Sequence, residues 1–357
     1  MVLLLFVNDA NLCKFPPNYY AMRVINILFV CFLFHFVNPV ARGQSSGKVA
    51  VGFYNCENLF DTIDDPAKED EEFTPDGKYR YTERIYQQKL KNISSVLAAM
   101  HPAVVGLAEV ENSTVLRDLT SQQSIAAKGY RYIIHNGPDP RGINVALIYD
   151  PTLFRVLKSE PIKVDISSTS GKAVTRDVLH VYGILIKDTV DIFVNHWPSR
   201  RGGTDESSDK RSIAAQVNRD AAARLMKKNK NTHVIIMGDL NDNPADPSIT
   251  KVLGAVADRR SSGSYLYNPF ASIHASGLGT EVYRKQWNLF DQIIISSSLL
   301  TDKTLTYNGA EIFKPSFIID TYKGHEGEPH RSFKGPHWIN GYSDHFPVVT
   351  YFTTSSR

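Results

Sequence analysis

The chain has 357 residues, of which 42% are hydrophobic and 22% are charged. These proportions allow a sizeable core and exclude a largely disordered chain. The formal net charge of +3 excludes a global basic field that would demand a nucleic-acid partner, although a local basic groove remains compatible with it.

The first predicted element is an apolar run over residues 24–37, which follows Met22 and Arg23. A basic start, an apolar middle and small residues before the cut are typical of a secretory signal, so we predict cleavage near Gly43–Gln44. The run is short for a membrane span, and an uncleaved membrane anchor is the alternative. The true start is either Met1 or Met22.

Cleavage there would leave an exported domain, periplasmic or extracellular, over residues 44–357, after an extension and signal peptide over residues 1–43. We expect no stable membrane insertion of that domain. The loss of three basic residues and one acid lowers the net charge from +3 to +1. Cys56 is then the only cysteine, which excludes an internal disulfide and a cysteine metal cluster. We expect its thiol to be packed rather than nucleophilic.

Hydrophobic patterns in the exported part predict nine strands and three helices, with no linker that divides them into two cores. The strands are expected at residues 49–54, 104–107, 130–135, 145–149, 178–186, 191–195, 234–237, 292–295 and 348–352. The helices are expected at residues 82–100, 115–120 and 209–228. This order favours one α+β domain in which two sheets pack face to face and the helices lie outside.

Polar side chains stand at the ends of six of these segments. They are Asn55, Glu109, Asn195 with His196, Asp239 with Asn241, Asp291, and Asp344 with His345. Carboxylate and amide oxygens such as those of Asn55, Glu109 and Asp344 suit Mg²⁺ or Mn²⁺, whereas a zinc site would need more His and Cys. The sequence therefore predicts a metal site where these strand ends meet.

The remaining polar residues suit acid–base chemistry. Asp291 near His345 would orient the imidazole and raise its pKa. Asp239 would accept a proton from water, and Asn241 would hold that water in line. A metal ion together with such positioned groups is what hydrolysis at phosphorus needs.

Five motifs in chain order carry a family resemblance: YNCENLF, GLAEVE, NHWPSR, GDLND and GYSDHF. Together they resemble the endonuclease/exonuclease/phosphatase superfamily, which has the deoxyribonuclease I-like fold, over nearly all of residues 48–353. PDPRGINVALIYD and NHWPSRRGG resemble a bacterial exported branch of it. The resemblance implies a four-layered α/β sandwich of two packed mixed β-sheets flanked by helices.

The resemblance also implies residue roles. Metal binding falls to Asn55, Glu109 and Asp344, and catalysis to Asp239, Asn241, His196, His345 and Asp291. Either Asp239 or His345 would be the general base. His196 would be a second catalytic histidine, with Asp139 as the candidate acidic partner. Substrate-binding candidates are Arg141, Asp139, Asn195 and Arg200, although Asn195 could instead orient its neighbours and Arg200 could lie in a solvated loop.

These observations predict an exported, Mg²⁺-dependent phosphodiester hydrolase, with Mn²⁺ as a possible substitute, that acts as an endonuclease on DNA or RNA. The alternative is a phosphoesterase acting on an inositol phosphate, a sphingolipid or another small phosphoester. A non-catalytic binding protein is disfavoured because every expected catalytic residue type is present. A calcineurin-like metallophosphatase is disfavoured because the GNH motif is absent. Nothing indicates an obligate protein partner.

Two further expectations concern structural residues. Glu57 and Glu111 are expected to be solvated or capping. The histidines at positions 325, 330 and 337 are expected at the surface rather than in a metal cluster, because their spacing is irregular.

Overall fold

A computed structural model describes residues 47–170, 174–200, 203–259, 263 and 265–355. The signal peptide predicted at residues 1–43 lies outside these ranges. So does Arg201, which the sequence places beside Arg200 as a second candidate for binding phosphate. Within them no helix is both long and apolar enough to cross a membrane.

The strands are numbered in chain order. They are β1 Gly47–Leu59, β2 Val104–Val110, β3 Arg131–Ile134, β4 Asn144–Tyr149, β5 Phe154–Ile162, β6 Val178–Leu185, β7 Asp188–His196, β8 His233–Asp239, β9 Ala255–Val256, β10 Leu266–Tyr267, β11 Glu281–Tyr283, β12 Gln286–Asn288, β13 Asp291–Ser296, β14 Leu305–Ile312, β15 Phe333–Lys334, β16 His337–Trp338 and β17 Val348–Thr354.

The helices connect these strands on the outside of the sheets. They are α1 Glu83–Met100, α2 Ser113–Thr120, α3 Ser167–Ser170, α4 Thr204–Lys228 and α5 Phe270–Ala275. All nine predicted strands and all three predicted helices form.

Two long strands, β5 and β14, were not predicted from the sequence. Each lies at an edge of its sheet, and most of its side chains are partly or fully exposed. Edge strands therefore lack the apolar run by which a central strand is recognised.

The strands form two large mixed sheets. The first has the order β14-β17-β1-β2-β4-β3, and the second has the order β5-β6-β7-β8-β13-β10-β9. In the first sheet β1 runs parallel to β2, and in the second β7 runs parallel to β8. Two small hairpins, β11–β12 and β15–β16, complete the described strands.

The two sheets pack face to face over a shared apolar core. A Cβ added at Gly106 on β2 would lie 2.6 Å from the Met237 sulfur and 2.9 Å from a Val194 methyl carbon, both on the second sheet. That spacing is shorter than van der Waals contact, so glycine is required where β2 packs against β7 and β8.

Helices cover the outer faces. Met100 of α1 packs on the first sheet at Gly52. The alanines of α4 form a second apolar cluster with Phe193 and Ile236 of the second sheet. The small alanine side chains let a 25-residue helix lie close to the strands. The result is the four-layered sandwich of helix, sheet, sheet and helix that the sequence predicted.

Candidate active site

Three polar residues stand side by side at one end of the second sheet. His196 on β7 is in register with Asp239 on β8, and Asp239 is in register with Asp291 on β13. All three are buried, with exposed fractions of 5%, 2% and 0%. The hydrogen-bonding register of the strands thus places three catalytic candidates in one row.

The first sheet supplies two more residues across the sandwich. Asn55 on β1 donates from Nδ2 to Asp239 Oδ2 at 3.1 Å, so it links the two sheets at the site. Glu109 on β2 accepts the Asn58 backbone N–H on Oε2 at 2.9 Å, and its Oε1 lies 3.8 Å from His196 Nε2. β1 does not end at Asn55 as expected but continues past a bulge to Leu59.

Three residues around this site have an unfavourable backbone conformation. Asn58, Glu109 and Asn241 have positive φ values of 55°, 59° and 49°. Such conformations are unfavourable for residues other than glycine and persist only where the surrounding structure enforces them. Their positions beside the polar row fit a functional site.

His345 and Asp291 form a buried pair. His345 Nδ1 lies 2.7 Å from Asp291 Oδ2, and the Ser343 hydroxyl accepts the His345 backbone N–H at 3.1 Å. Burial alone would lower the pKa of His345, but the negative charge and hydrogen bond of Asp291, aided by Asp239, raise it well above its ordinary value. These surroundings therefore favour the protonated form of the imidazole.

Asp239 lies at the centre of the group. Its Oδ1 accepts the Asn241 backbone N–H at 3.0 Å, while Oδ2 accepts from Asn55. Burial raises the pKa of Asp239 to about 7, with the nearby charge of Asp291 adding to the rise and His345 opposing it. A carboxyl with such a pKa exchanges protons near neutral pH.

His196 differs from His345 in its electrostatic surroundings. Burial, followed by the positive charges of Arg176 and Arg141, lowers the pKa of His196 well below its ordinary value. Its Nε2 lies 3.7 Å from Asp239 Oδ2. The imidazole is therefore neutral, and its Nδ1 has no hydrogen-bond partner among the described residues.

The prediction that Asp139 partners His196 is wrong. The Asp139 carboxylate instead pairs with Arg141 at 3.0 Å and with Arg176 at 3.3 Å. Arg176 in turn donates to the backbone carbonyls of His196 at 3.1 Å and Trp197 at 2.6 Å. Asp139 thus supports the His196 backbone through an arginine. The Arg141 side chain is 42% exposed, so it retains access to solvent.

The Asn195 side chain is buried and engaged within the fold, which leaves it no free group for the predicted contact with substrate. Its Oδ1 accepts from Trp197 Nε1 at 3.0 Å and from Asn218 Nδ2 at 2.6 Å, and its Nδ2 donates to the carbonyls of Phe193 and Met237. The residue is 0% exposed. Its amide is fully used in holding β7 to β8 and α4.

Arg200 is likewise occupied within the fold. Its guanidinium donates to Asp242 at 2.9 Å, to Asp246 at 2.5 Å and to the Asn241 carbonyl at 2.9 Å. It also lies 4.7 Å from the Phe290 ring centroid. Arg200 therefore fixes the loop after β8, including the backbone of Asn241, and is not a free phosphate clamp.

The expectation of solvated glutamates is wrong for Glu57 and Glu111, both of which are 7% exposed. Each accepts a backbone N–H, from Ser332 at 2.6 Å and from Asp61 at 2.7 Å. Burial raises the pKa of each to about 7. Both carboxyls hold loops around the site by accepting backbone N–H groups. This agrees with the alternative prediction that the two glutamates have a capping role.

A fully buried lysine was missed by sequence analysis. Lys89 on α1 donates to the Glu57 carbonyl at 2.6 Å and to the Ser332 hydroxyl at 2.7 Å. Arg176 was missed as well. A single basic residue within a helix or before a strand carries no motif, and its burial depends on partners far along the chain.

The free oxygens at the site fit a hard divalent cation. Neither Glu109 Oε1 nor either Asp344 carboxylate oxygen accepts a hydrogen bond from the described residues. Asp344 is partly exposed, and its Oδ1 lies 3.9 Å from His345 Nε2. The Asn55 side-chain carbonyl accepts the Glu57 backbone N–H at 3.0 Å, but a carbonyl oxygen has a second lone pair. Together with Glu109 and Asp344 it offers the oxygen ligands that Mg²⁺ and Mn²⁺ accept.

Asp239, Asp291 and His345 also offer potential ligand atoms within 4.8 Å of one another. Their closeness reflects the Asp291–His345 hydrogen bond, which uses His345 Nδ1. The histidines at positions 325, 330 and 337 belong to none of the potential ligand groups found among the described residues.

The sequence of residues 50–354 matches the model of the endonuclease/exonuclease/phosphatase family, and the chain belongs to that family. No functionally curated protein matches the sequence. Members of this family are metal-dependent phosphoester hydrolases, and the acidic groups described above are able to bind such a metal.

Solved structures share the fold at low sequence identity. An endonuclease/exonuclease/phosphatase family protein from Bacteroides thetaiotaomicron is 14% identical with a TM-score of 0.54, covering 88% of this chain and 100% of that one. TDP2 of D. rerio complexed with a single-strand DNA product is 15% identical with a TM-score of 0.51, covering 86% and 100%. A mannosyl-6-phosphatase of B. thetaiotaomicron is 16% identical with a TM-score of 0.53, covering 85% and 99%.

Proposed function

We propose that the protein is a phosphodiesterase that uses Mg²⁺, or Mn²⁺ in its place, to cleave internal bonds of DNA or RNA after export from the cell. The observation that carries the proposal is the buried Asp291–His345 pair beside Asp239, which joins a protonated imidazole to a carboxyl whose pKa is about 7. The DNA product bound to TDP2 supports a nucleic-acid substrate.

The side chains would divide the work as follows. Asn55, Glu109 and Asp344 would hold the metal ion, which would supply charge neutralisation at the phosphate and at the leaving oxygen. Protonated His345 would donate to a phosphate oxygen, and Asp291 would keep its ring in place.

The proton transfers would fall to residues of the second sheet. Asp239 would accept the proton of the attacking water, for which a pKa near the working pH is optimal. Asn241, whose Nδ2 is held by the Trp197 carbonyl at 3.0 Å, would position that water with its Oδ1. The neutral imidazole of His196 would donate a hydrogen bond to the leaving oxygen.

The second candidate is a phosphoesterase acting on a small phosphoester, such as an inositol phosphate, a sphingolipid or a sugar phosphate. A pocket of about 510 Å³ beside Asp344 favours it, because it is of a size to enclose a small molecule. The similarity to a mannosyl-6-phosphatase adds support.

The test is hydrolysis by the full chain, with Mg²⁺ or Mn²⁺, of plasmid DNA, RNA, bis-p-nitrophenyl phosphate, sphingomyelin, an inositol phosphate and mannose 6-phosphate. The Asp239→Asn variant preserves the shape of the side chain and should lose activity. Asp220→Asn, at an exposed carboxylate on α4, is the matched control. Plasmid nicking that disappears only in Asp239→Asn supports the nuclease. Activity confined to small phosphoesters selects the second candidate, and inactivity on all substrates contradicts both.

A further inference from the structure

A pocket of about 510 Å³ lies between the hairpin β11–β12 and the segment that follows β14. Four basic side chains line it, and we call it the cationic pocket after them: Arg284, Lys285, Arg331 and Lys334. Only two acids, Asp320 and Glu328, line the same space. The walls therefore carry two more positive than negative charges.

The acids of the pocket are already occupied. Glu328 pairs with Lys285 at 2.8 Å and with His325 at 2.7 Å. Asp320 is 6% exposed and accepts the Tyr322 backbone N–H at 2.7 Å. Both carboxylates are therefore engaged within the walls of the pocket, and Lys285 balances the charge of Glu328.

Arg284 and Lys334 are left uncompensated. Both are exposed, and neither has a carboxylate oxygen within 4 Å in the part of the chain that the structure describes. Arg284 and Lys285 occupy the turn of the hairpin with φ values of 49° and 64°. Such turns favour Gly and Asn, so two long cations there are held at a conformational cost.

The cationic pocket adjoins the candidate active site. Arg331 Nη2 lies 3.8 Å from Oδ2 of the proposed metal ligand Asp344. The hairpin is attached to the same segment, because the Phe346 N–H donates to the Thr280 carbonyl at 2.8 Å and Trp287 stacks on Phe346 with centroids 6.2 Å apart. A phosphate at the metal site would therefore lie at the rim of this pocket.

The pocket also has an apolar portion. Val282 and Ile339 line it, together with Tyr322, whose side chain is 67% exposed. An exposed aromatic ring beside cations offers a surface for a sugar or a base. The pocket thus fits a group that carries both an anion and a flat or apolar part.

We propose that the cationic pocket binds a second phosphate of the substrate, one unit away from the phosphate that is cleaved, on Arg284 and Lys334. This inference rests on the proposed function. The second phosphate has two possible sources: the neighbouring phosphate of a nucleic-acid strand, or the other phosphate of a doubly phosphorylated small molecule.

Two matched substrate pairs distinguish these sources. The dinucleotides TpT and pTpT differ by one phosphate, and so do glucose 1-phosphate and glucose 1,6-bisphosphate. The full chain is compared with the double variant Arg284→Gln/Lys334→Gln. The control is the double variant Lys128→Gln/Arg131→Gln, which removes two exposed cations far from the pocket. Arg131 pairs with Tyr149, which pairs with Val104 at the end of β2 that is remote from Glu109.

We expect the preference for the doubly phosphorylated member, measured as the ratio of kcat/KM values, to fall about tenfold in the double variant, the equivalent of roughly 1.4 kcal/mol. The change should lie in KM rather than in kcat, and the control should keep the ratio. A fall for the dinucleotides assigns the pocket to nucleic acid, and a fall for the glucose phosphates assigns it to a small molecule. An unchanged ratio in both pairs overturns the proposal.

A binding measurement separates this inference from the proposed function. If the wild type hydrolyses no phosphoester, the proposed function fails. The pocket is then judged by calorimetric titration of inorganic pyrophosphate in EDTA. A Kd raised about tenfold in the double variant supports an anion site. Equal affinity of wild type and double variant, or no binding to either, overturns it.

Discussion

Arg176 links the backbone carbonyls of His196 and Trp197 to the Asp139 carboxylate. Its replacement by methionine should destabilise the protein. The side chain is 7% exposed and donates to two carbonyls and one carboxylate. Methionine fills a similar volume but leaves these acceptors without a donor. Breaking a buried charged pair from one side costs about 3–5 kcal/mol. We expect a decrease of that size in the free energy of unfolding.

Arg219 offers a matched control. It also donates to two carbonyls, those of Lys251 and Val252, but it is exposed on α4, where water replaces the lost bonds. Arg219→Met should therefore cost less than about 1 kcal/mol. Urea-induced unfolding followed by tryptophan fluorescence measures both variants. A thermal scan should show a fall of roughly 10 °C for Arg176→Met, since each kcal/mol shifts Tm by about 2–4 °C in a domain of this size.

Equal stability of the two variants would refute the reasoning, because the contrast depends on the burial of Arg176 and on its pairing with the Asp139 carboxylate. A second readout is the pKa of His196. Burial lowers it first and the Arg176 charge lowers it further, so Arg176→Met should raise it, as measured by NMR titration. If Arg176→Met fails to fold, Arg176→Lys is measured instead. It keeps the positive charge but lacks the several N–H donors of the guanidinium, so we expect a smaller decrease in the free energy of unfolding.

Four further outcomes are expected. Removal of divalent ions with EDTA should abolish hydrolysis, and added Mg²⁺ or Mn²⁺ should restore it. Asp291→Asn should lower kcat roughly 10²–10⁴-fold and shift the basic limb of the pH–rate profile downwards, because the carboxylate holds the pKa of His345 up. Lys89→Met should lower the free energy of unfolding by about 2–4 kcal/mol, because it leaves two buried acceptors without a donor. Burial raises the pKa of Asp139, but Arg141 and Arg176 outweigh it and hold the pKa below its ordinary value of 3.8. The ion pairs of Asp139 therefore stabilise the fold above pH 3.8, and this stabilisation is lost on acidification. The difference in free energy of unfolding between wild type and Asp139→Asn, measured by urea unfolding, should become smaller as the pH falls below 4.

Much of the site was predictable because its residues end apolar runs. A run such as residues 234–237 has to be buried, and the polar residue after it has to lie at the sheet end. The parallel pairs β1–β2 and β7–β8 then bring such ends together. Glu109, His196 and Asp239 follow from this rule without knowledge of their partners, whereas Asn55 lies beside them although β1 continues past it to Leu59.

The sequence predictions were wrong where the contacts of a residue depend on the direction of its side chain or on partners distant in the sequence. Asn195 and His196 are neighbours at one strand end, but successive side chains of a strand point to opposite faces. His196 faces Asp239 and Glu109, whereas Asn195 meets Asn218 on α4. The sequence pattern marks the strand end but does not say which of two adjacent polar residues faces the site.

The occupied arginines reflect the same limit. Arg200 was a reasonable phosphate ligand in a loop, but its carboxylate partners Asp242 and Asp246 lie more than 40 residues further along the chain. Local sequence contains no signal for such pairs. The cationic pocket escaped notice for the same reason, because its basic residues come from two separate segments.

The position of β1 between β17 and β2 has a consequence for biosynthesis. Asn55 is hydrogen-bonded through its carbonyl to Ser343, 288 residues later in the chain, and Asp344 and His345 follow directly. β1 therefore cannot complete its pairing in the first sheet until β17, Val348–Thr354, has been synthesised. Pairings so distant in sequence form slowly. A nascent chain consequently lacks the complete candidate site until Ser343, Asp344 and His345 have been synthesised.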